Sequence, residues 1–390
     1  MRIRTRSGTY GDGPMNYLGH IDTLRAQFPV LDTCVYLNSN STGAMPRGVE
    51  QVLDRYWATM RSWRDDAWGG WLDELDGYIH ALAEFLSAPA ETIVTDTNLT
   101  TLLGRLATCF DFRGERSKVL TTDREFPTVP FLWQGFARYG AERVVVDFGT
   151  EAIESAIDEQ TLLVCVAHGS YTTGAMLDLE RIVARAHRMG ALVIVDAFQT
   201  VGAVPLNLPA LGADFVLGGA GKWLCGAHTA FLYARRELLP TLRPAATGWF
   251  AGRDPLSFRP AEDWAADARR LAGGTPIPLT AMMSRVGLDL LASVGMPAIR
   301  AHSLRCTGRI IERAVAAGLT VRTPKAAQHR GGVVCLSFPG DELVKQRLVE
   351  RGMVCSWREG LRVAPHIYNT VDEVDAFMDA LAAERKGLRA

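Results

Sequence analysis

The chain reads as a two-domain α/β protein. A large domain has a mostly parallel central sheet sandwiched by helices, and a smaller α+β domain follows it. Three observations predict this. Apolar, β-rich runs alternate with helical patterns from about residue 90 to about 250. After Pro255 the pattern changes to a loop-rich stretch, a long helix at about 280–315 and short strands mixed with helices. A length of 390 residues, 48% hydrophobic and 22% charged, suits two domains with sizeable cores, at roughly 100–200 residues per domain.

Taken in order, residues 1–18 read as a loose polar tail. A short helix from His20 leads into the strand "VYLNSN". An amphipathic helix at about Arg47–Trp63 runs through a Trp-rich stretch, Trp57 to Trp71, into a second helix at 72–87. The runs "KVLTT", "RVVVDF", "TLLVCVAH", "ALVIVDA", "DFVLGG" and "TAFLYA" then supply the strands of the sheet. "LTVRT", "GVVCLSF" and "LRVAP" supply those of the second domain, which ends in a helix at 371–385. The expected division is 19–255 for the large domain and 256–390 for the small one. Segment 19–50 contributes to the small domain and to the approach to the site.

Composition excludes several classes. Net charge is −1 with both signs interspersed, so neither a nucleic-acid footprint nor a polybasic membrane patch is expected. No uncharged apolar run of about 18 residues suggests a transmembrane helix. Arg2, Arg4 and Arg6 are followed by Gly and Pro instead of an apolar stretch, so no signal peptide is expected. The seven cysteines contain no C-x-x-C pair, and reduced thiols in a cytoplasmic protein are expected. The eight histidines are dispersed, which gives no metal site. His366 reads as a helix-cap or surface residue.

Lysine stands only at 118, 222, 325, 345 and 386, so 37 of the 42 basic residues are arginine. Four of these lysines fall in exposed turns or helix faces, and Lys222 does not. The strand "ALVIVDA" ends in Asp196, and "ADFVLGG" ends in a Gly-rich turn that delivers Lys222. Ligands of open α/β sheets sit at the carboxyl ends of strands, so both residues point into one crevice. Pyridoxal 5′-phosphate (PLP) needs such a pair: an amine for its aldehyde and a carboxylate for its pyridine nitrogen. The same two residues equally suit a helix-capping Asp and a Lys in a surface loop.

Other features favour the first reading. "TDTNLTT" (95–101) follows a strand and opens a helix, which makes a phosphate cradle. "REFPT" (124–128) places an aromatic ring after another strand, where it can stack on a flat cofactor or join the core. Arg362 lies on a late strand, and its guanidinium fork suits an α-carboxylate.

These pieces line up with a family. The chain resembles fold-type I PLP enzymes of the class V aminotransferase group, in its kynureninase-like branch, from about residue 28 onward. The likeness rests on "VYLNSNSTG", "YWATMRSWRDDAWGGWLDEL", "AHGSYTTGAMLDLERIVARAHRMGALVIVDAFQTVGAVPLNL", "GADFVLGGAGKWL", "ATGWF", "GGTPIPLTAM" and "LRVAPHIYNTVDEVD", in this order and spacing. It implies that Lys222 forms the Schiff base, Asp196 pairs with the pyridine nitrogen, and Gln199 sits near the ring hydroxyl. It implies that Phe126 stacks on the ring, while the Leu99 amide and Thr100 hold the phosphate. Trp249 and Thr275 match positions that approach the phosphate from a partner subunit, which implies a homodimer. Arg362 matches the clamp of the substrate carboxylate, and Asn40 lies where this group often contacts substrate. Kynureninases carry Tyr, and cysteine desulfurases His, before the lysine; both help bind phosphate. Here that residue is Gly221, preceded by Ala220, and Ala167 stands where a hydroxyl is common. Phosphate binding must therefore be rearranged, through His168, Ser170 or the backbone.

The expected activity is β-carbon cleavage of an α-amino acid, by kynureninase-like hydrolysis or C–S β-elimination, in specialised metabolism. Transamination is the alternative. Cysteine desulfuration would need a mobile Cys just before Arg362, whereas Cys355 ends an apparent strand. A cofactor-free binding protein is the non-enzymatic reading. Trp63, Trp68 and Trp71 read as packing residues ahead of a substrate wall.

Overall fold

The computed structural model describes residues 21–387, apart from 65 and 260–262. The expected tail at 1–18 lies outside the described residues. The chain opens with α1 (Ile21–Arg25), the short strand β1 (Val35–Tyr36), α2 (Gly48–Arg61) and α3 (Ala67–Phe85). The large sheet then accumulates: β2 (Ile93–Asp96), α4 (Leu99–Ala107), β3 (Lys118–Thr122), α5 (Thr128–Phe136), β4 (Glu142–Val146), α6 (Thr150–Ala156) and β5 (Thr161–Ala167). It is completed by α7 (Leu179–Arg188), β6 (Leu192–Asp196), α8 (Leu208–Leu211), β7 (Phe215–Gly219) and β8 (Ala230–Ala234).

These strands form one seven-stranded sheet in the order β2-β8-β7-β6-β5-β3-β4. All its pairings are parallel except those of β8, which runs antiparallel to β2 and β7. Every residue of β7 and β8 is buried. Helices on both faces explain why these strands are continuous apolar runs without alternation. One apolar layer joins Leu82, Val164, Val193 and Phe231; the other joins Leu102, Trp133, Ile194 and Phe215. Each large side chain so buried contributes roughly 1.5–3 kcal/mol.

The carboxyl-terminal half adds α9 (Pro278–Val294), α10 (Met296–Ala316), β9 (Thr320–Val321), β10 (Val334–Ser337), α11 (Asp341–Glu350), β11 (Met353–Val354), β12 (Ser356–Trp357), β13 (Leu361–Val363) and α12 (Val371–Lys386). The sequence reads α9 and α10 as one helix, but they meet at 86°. Gly295, between them, has φ 83° and ψ 137°, outside any helical conformation. Pro297 in the first turn of α10 starts a fresh helix there, because its missing N–H needs no partner at that position. The break lets α9 pack on α2 and α3, while α10 packs on α12 and the small sheet. That small antiparallel sheet has the order β12-β13-β10-β9.

The lead-in segment crosses between the two halves. β1 pairs in parallel with β11, and Asn38 bridges Ala364. A few residues later Gly43 N donates to the carbonyl of Gly221 at 3.0 Å, beside the lysine. Among the described residues, no single helix is long and apolar enough to cross a membrane.

Candidate active site

The carboxyl ends of β2, β3, β5, β6 and β7 meet around one cavity of about 290 Å³. Asn98, Leu99, Thr100 and Thr128 line it together with Asp196, Gln199 and Lys222, and Phe126, Tyr171 and Phe198 are its aromatic walls. The chain thus brings together Leu99, Thr100, Phe126, Asp196, Gln199 and Lys222, as the sequence expects them to meet.

Lys222 Nζ lies 5.5 Å from the Phe126 ring centre and 5.2 Å from that of Phe198. Burial pushes the amine below the ordinary lysine range; Asp196 opposes this, and Arg362 adds to it. An amine held this way gives up its proton more easily than an ordinary lysine, which favours it as a nucleophile. Asp196 Oδ1 accepts from Phe198 N at 2.8 Å. Burial raises its carboxyl, while the Phe198 amide and Lys222 restrain the rise. Gln199 is committed at both ends of its amide: Nε2 donates to Asn40 O at 3.0 Å, and Oε1 accepts from Trp223 Nε1 at 3.4 Å.

Asn98, also in the lining, caps α4, its Oδ1 accepting from Thr101 N at 2.9 Å. The Leu99 and Thr100 amides begin the helix and have no carbonyl a turn earlier. They are free for an anion, with the helix dipole behind them. Thr100 Oγ1 and Thr128 Oγ1 lie 3.1 Å apart beside them.

His168 and Ser170 do not line this cavity, contrary to expectation. After β5 the chain bends at His168 and turns at 171–173, with Gly174 N donating to Ser170 O at 2.9 Å. Ala167, Gly169 and Tyr171 reach the cavity. His168 Nδ1 instead meets Thr200 Oγ1 at 2.9 Å, and Ser170 Oγ meets Thr172 Oγ1 at 3.0 Å. Burial pushes the His168 imidazole down to about 4. His366 is not the cap or surface residue its sequence suggests. It is buried, and its Nε2 is 2.8 Å from Trp223 O, so it steadies the residue after the lysine.

Arg362 and Asn40 are buried just beyond the cavity. Arg362 Nη1 donates to Tyr171 O at 2.7 Å, but its Nε and the Asn40 Nδ2 have no hydrogen-bond partner among the described residues. Buried donors left open in this way suit a bound carboxylate. Trp249 and Thr275 do not reach the lysine within this chain. Trp249 stacks on Phe258 with centroids 5.2 Å apart, and Thr275 lines a separate cavity of about 500 Å³. Trp63, Trp68 and Tyr56 pack around Trp71, away from the lysine cavity.

Two aromatic walls escape the sequence reading. Phe198 sits between Asp196 and Gln199, and its signal is indirect: a Cβ on Gly219 would lie 2.1 Å from Phe198 Cζ. The Gly-rich turn before the lysine thus makes room for that ring. Tyr171 stands edge-on to Phe126 with ring centres 5.5 Å apart.

The aminotransferase class-V family matches residues 35–377. The kynureninase of Pseudomonas fluorescens is 32% identical over 357 residues, covering 86% of this chain and 85% of its own. An uncharacterized aminotransferase of Bacillus subtilis (strain 168), YcbU, is 29% identical over 365 residues, covering 92% and 97%. Among solved structures, apo cysteine desulfurase from Thermococcus onnurineus NA1 is similar with TM-score 0.84 and 22% identity, covering 94% of this chain and 98% of its own. The cystine C–S lyase C-DES in complex with its reaction product cysteine persulfide reaches TM-score 0.83 at 20% identity, covering 91% and 99%. Fold and cavity together define a PLP-dependent enzyme of fold-type I. The chain belongs to the class V aminotransferase family, on its kynureninase-like branch. The residues present fit the cofactor: an amine, a carboxylate, a facing ring and a helix N-terminus share one cavity of the right end-to-end chemistry.

Proposed function

We propose that this PLP enzyme cleaves an α-amino acid at its β-carbon, by kynureninase-like Cβ–Cγ hydrolysis or by β-elimination of a sulfur leaving group. The observation that carries the reading is the link between Arg362 and Tyr171. One bond joins the residue suited to the substrate carboxylate to the main-chain carbonyl of Tyr171, a residue that also lines the lysine cavity. A substrate held by Arg362 would extend its side chain along that lining. The similarity to a kynureninase supports the same reading.

When bound, PLP supplies the aldehyde for the substrate amine and a ring that absorbs electron density from Cα. The remaining work falls to the chain. Arg362 and Asn40 would orient the carboxylate. Lys222, its amine readily deprotonated, would take the Cα proton. Asp196 would hold a proton on the pyridine nitrogen. Tyr171, whose phenol has no hydrogen-bond partner among the described residues, would give its proton to the departing group. Phe126 and Phe198 would keep water from the amine.

Desulfuration is disfavoured by Cys355, which is 3% exposed and whose thiol is pushed by burial up to about 12. A homodimer is also proposed. Trp249, Leu256, Phe258 and Ile277 are exposed, an apolar patch suited to a partner subunit.

The test is product analysis with the holoenzyme on kynurenine-type and S-substituted amino acids, with Lys222→Ala as control. Alanine plus an aromatic acid, or pyruvate, ammonia and a thiol, is the expected result. A 2-oxo acid that keeps the whole substrate skeleton would replace this reading with transamination.

A further inference from the structure

Gly221 precedes the lysine, and its empty side-chain position is already taken. A Cβ there would lie 2.8 Å from His228 Nδ1 and 3.2 Å from its Cε1. The His228 imidazole therefore occupies the volume that a side chain at 221 would enter.

The turn carrying His228 is folded back tightly onto the lysine loop. Ala220 N donates to Thr229 O at 2.8 Å, and Gly226 N donates to Ala220 O at 2.9 Å. Cys225, at φ 54°, makes the reversal. Sheet register fixes what lies alongside. Ala230, two residues after His228, pairs with Gly219 on one side and with Asp96 on the other. Asp96 ends the strand that leads directly into α4. The imidazole, the open amides of Leu99 and Thr100, and the lysine loop thus share one end of the sheet. The ring is exposed and makes no hydrogen bond among the described residues.

We propose that His228 is a ligand of the cofactor phosphate, and that position 221 is glycine because the imidazole arrives from 228. Helix-terminal amides, threonine hydroxyls and an imidazole N–H are together a donor set for a phosphate dianion. This accounts for phosphate binding without a side chain before the lysine and without His168 or Ser170. It holds whichever bond of the substrate is broken.

The experiment compares the affinity of the full-length apo-protein for PLP and for pyridoxal, which lacks the phosphate, by fluorescence titration. In His228→Ala, PLP binding should weaken about ten- to a hundredfold, the worth of a hydrogen bond to a charged group, while pyridoxal binding stays unchanged. Gly221→Ala should displace the ring and weaken PLP selectively, yet have no further effect in a His228→Gly background. The double variant Gly221→His with His228→Gly returns the imidazole by the other route and should recover most of the affinity. Equal losses for both ligands in His228→Ala, or no loss for either, would overturn the proposal. If His228→Ala fails to fold, the Gly221→Ala pair decides: equal effects in both backgrounds refute it.

Discussion

Arg362 Nη1 donates to the carbonyl oxygen of Tyr171 at 2.7 Å, and the guanidinium is otherwise left with an unpartnered buried Nε. Burial lowers this group to about 10, so the side chain bears a real desolvation cost that a carboxylate partner would offset. Arg362→Lys keeps a charge but loses the planar fork. It should raise KM for an amino-acid substrate by about ten- to a hundredfold, with a smaller change in kcat. Steady-state kinetics separate the two; an unchanged KM would remove Arg362 from the substrate contacts.

Asp196→Asn keeps the shape of the carboxyl and its bond from Phe198 N, but not its charge. It should lower kcat by about 10²–10³ while PLP is still bound, because a charge preorganised for the reaction is gone. Rapid-quench turnover alongside a PLP titration checks both halves of this expectation.

Glu125, next to Phe126, offers a pH test that is read through stability. Burial, seconded by Asp196, pushes its carboxyl up to about 8 from an ordinary 4.5. Thr122 Oγ1 donates to Oε1 at 2.6 Å, and Oε2 has no partner. The folded state therefore binds a proton that the unfolded chain releases. The resulting stability is complete below pH 4.5 and fades as pH rises towards 8. Glu125→Gln should flatten that decline in Tm between these limits. A variant whose Tm falls as steeply as that of the parent would contradict it.

Gly295→Ala asks whether the elbow between α9 and α10 depends on backbone freedom. Only Pro297 Cδ, at 4.0 Å, would meet the new methyl, so crowding is small and the strain comes from φ 83°. The expected loss is about 1–3 kcal/mol, read as a lower denaturation midpoint. A neutral result would mean that the elbow can adopt another conformation.

The fold class was legible because the strands of the large sheet are apolar throughout and separated by helical periods. The elbow was not, because Gly295 and Pro297 interrupt a helical pattern without interrupting its hydrophobicity. Lys222 and Asp196 could be paired from their positions at the ends of successive strands. His168 and Ser170 misled because polar residues at a strand end attract attention whichever way they face, and both are taken up by Thr200 and Thr172 instead of the cavity. Phe198 went unread because a ring beside two polar site residues looks like core. The glycine that makes room for it is distant in sequence and carries no label.

The pairing of β1 with β11 also bears on how the enzyme comes into being. Ser39 Oγ meets Tyr368 OH at 2.5 Å across a separation of 329 residues. Synthesis proceeds at roughly 5–20 residues per second, so the segment bearing Asn40 must wait tens of seconds for its partners. Lys222 and Asp196 emerge well before Arg362 and can settle into their sheet first. A nascent chain could therefore own the cofactor half of the site while its substrate half is still unmade. Late closure of this kind places the slowest, least local contacts at the end of folding, and it makes the last strands of the chain a condition for selectivity as well as for stability.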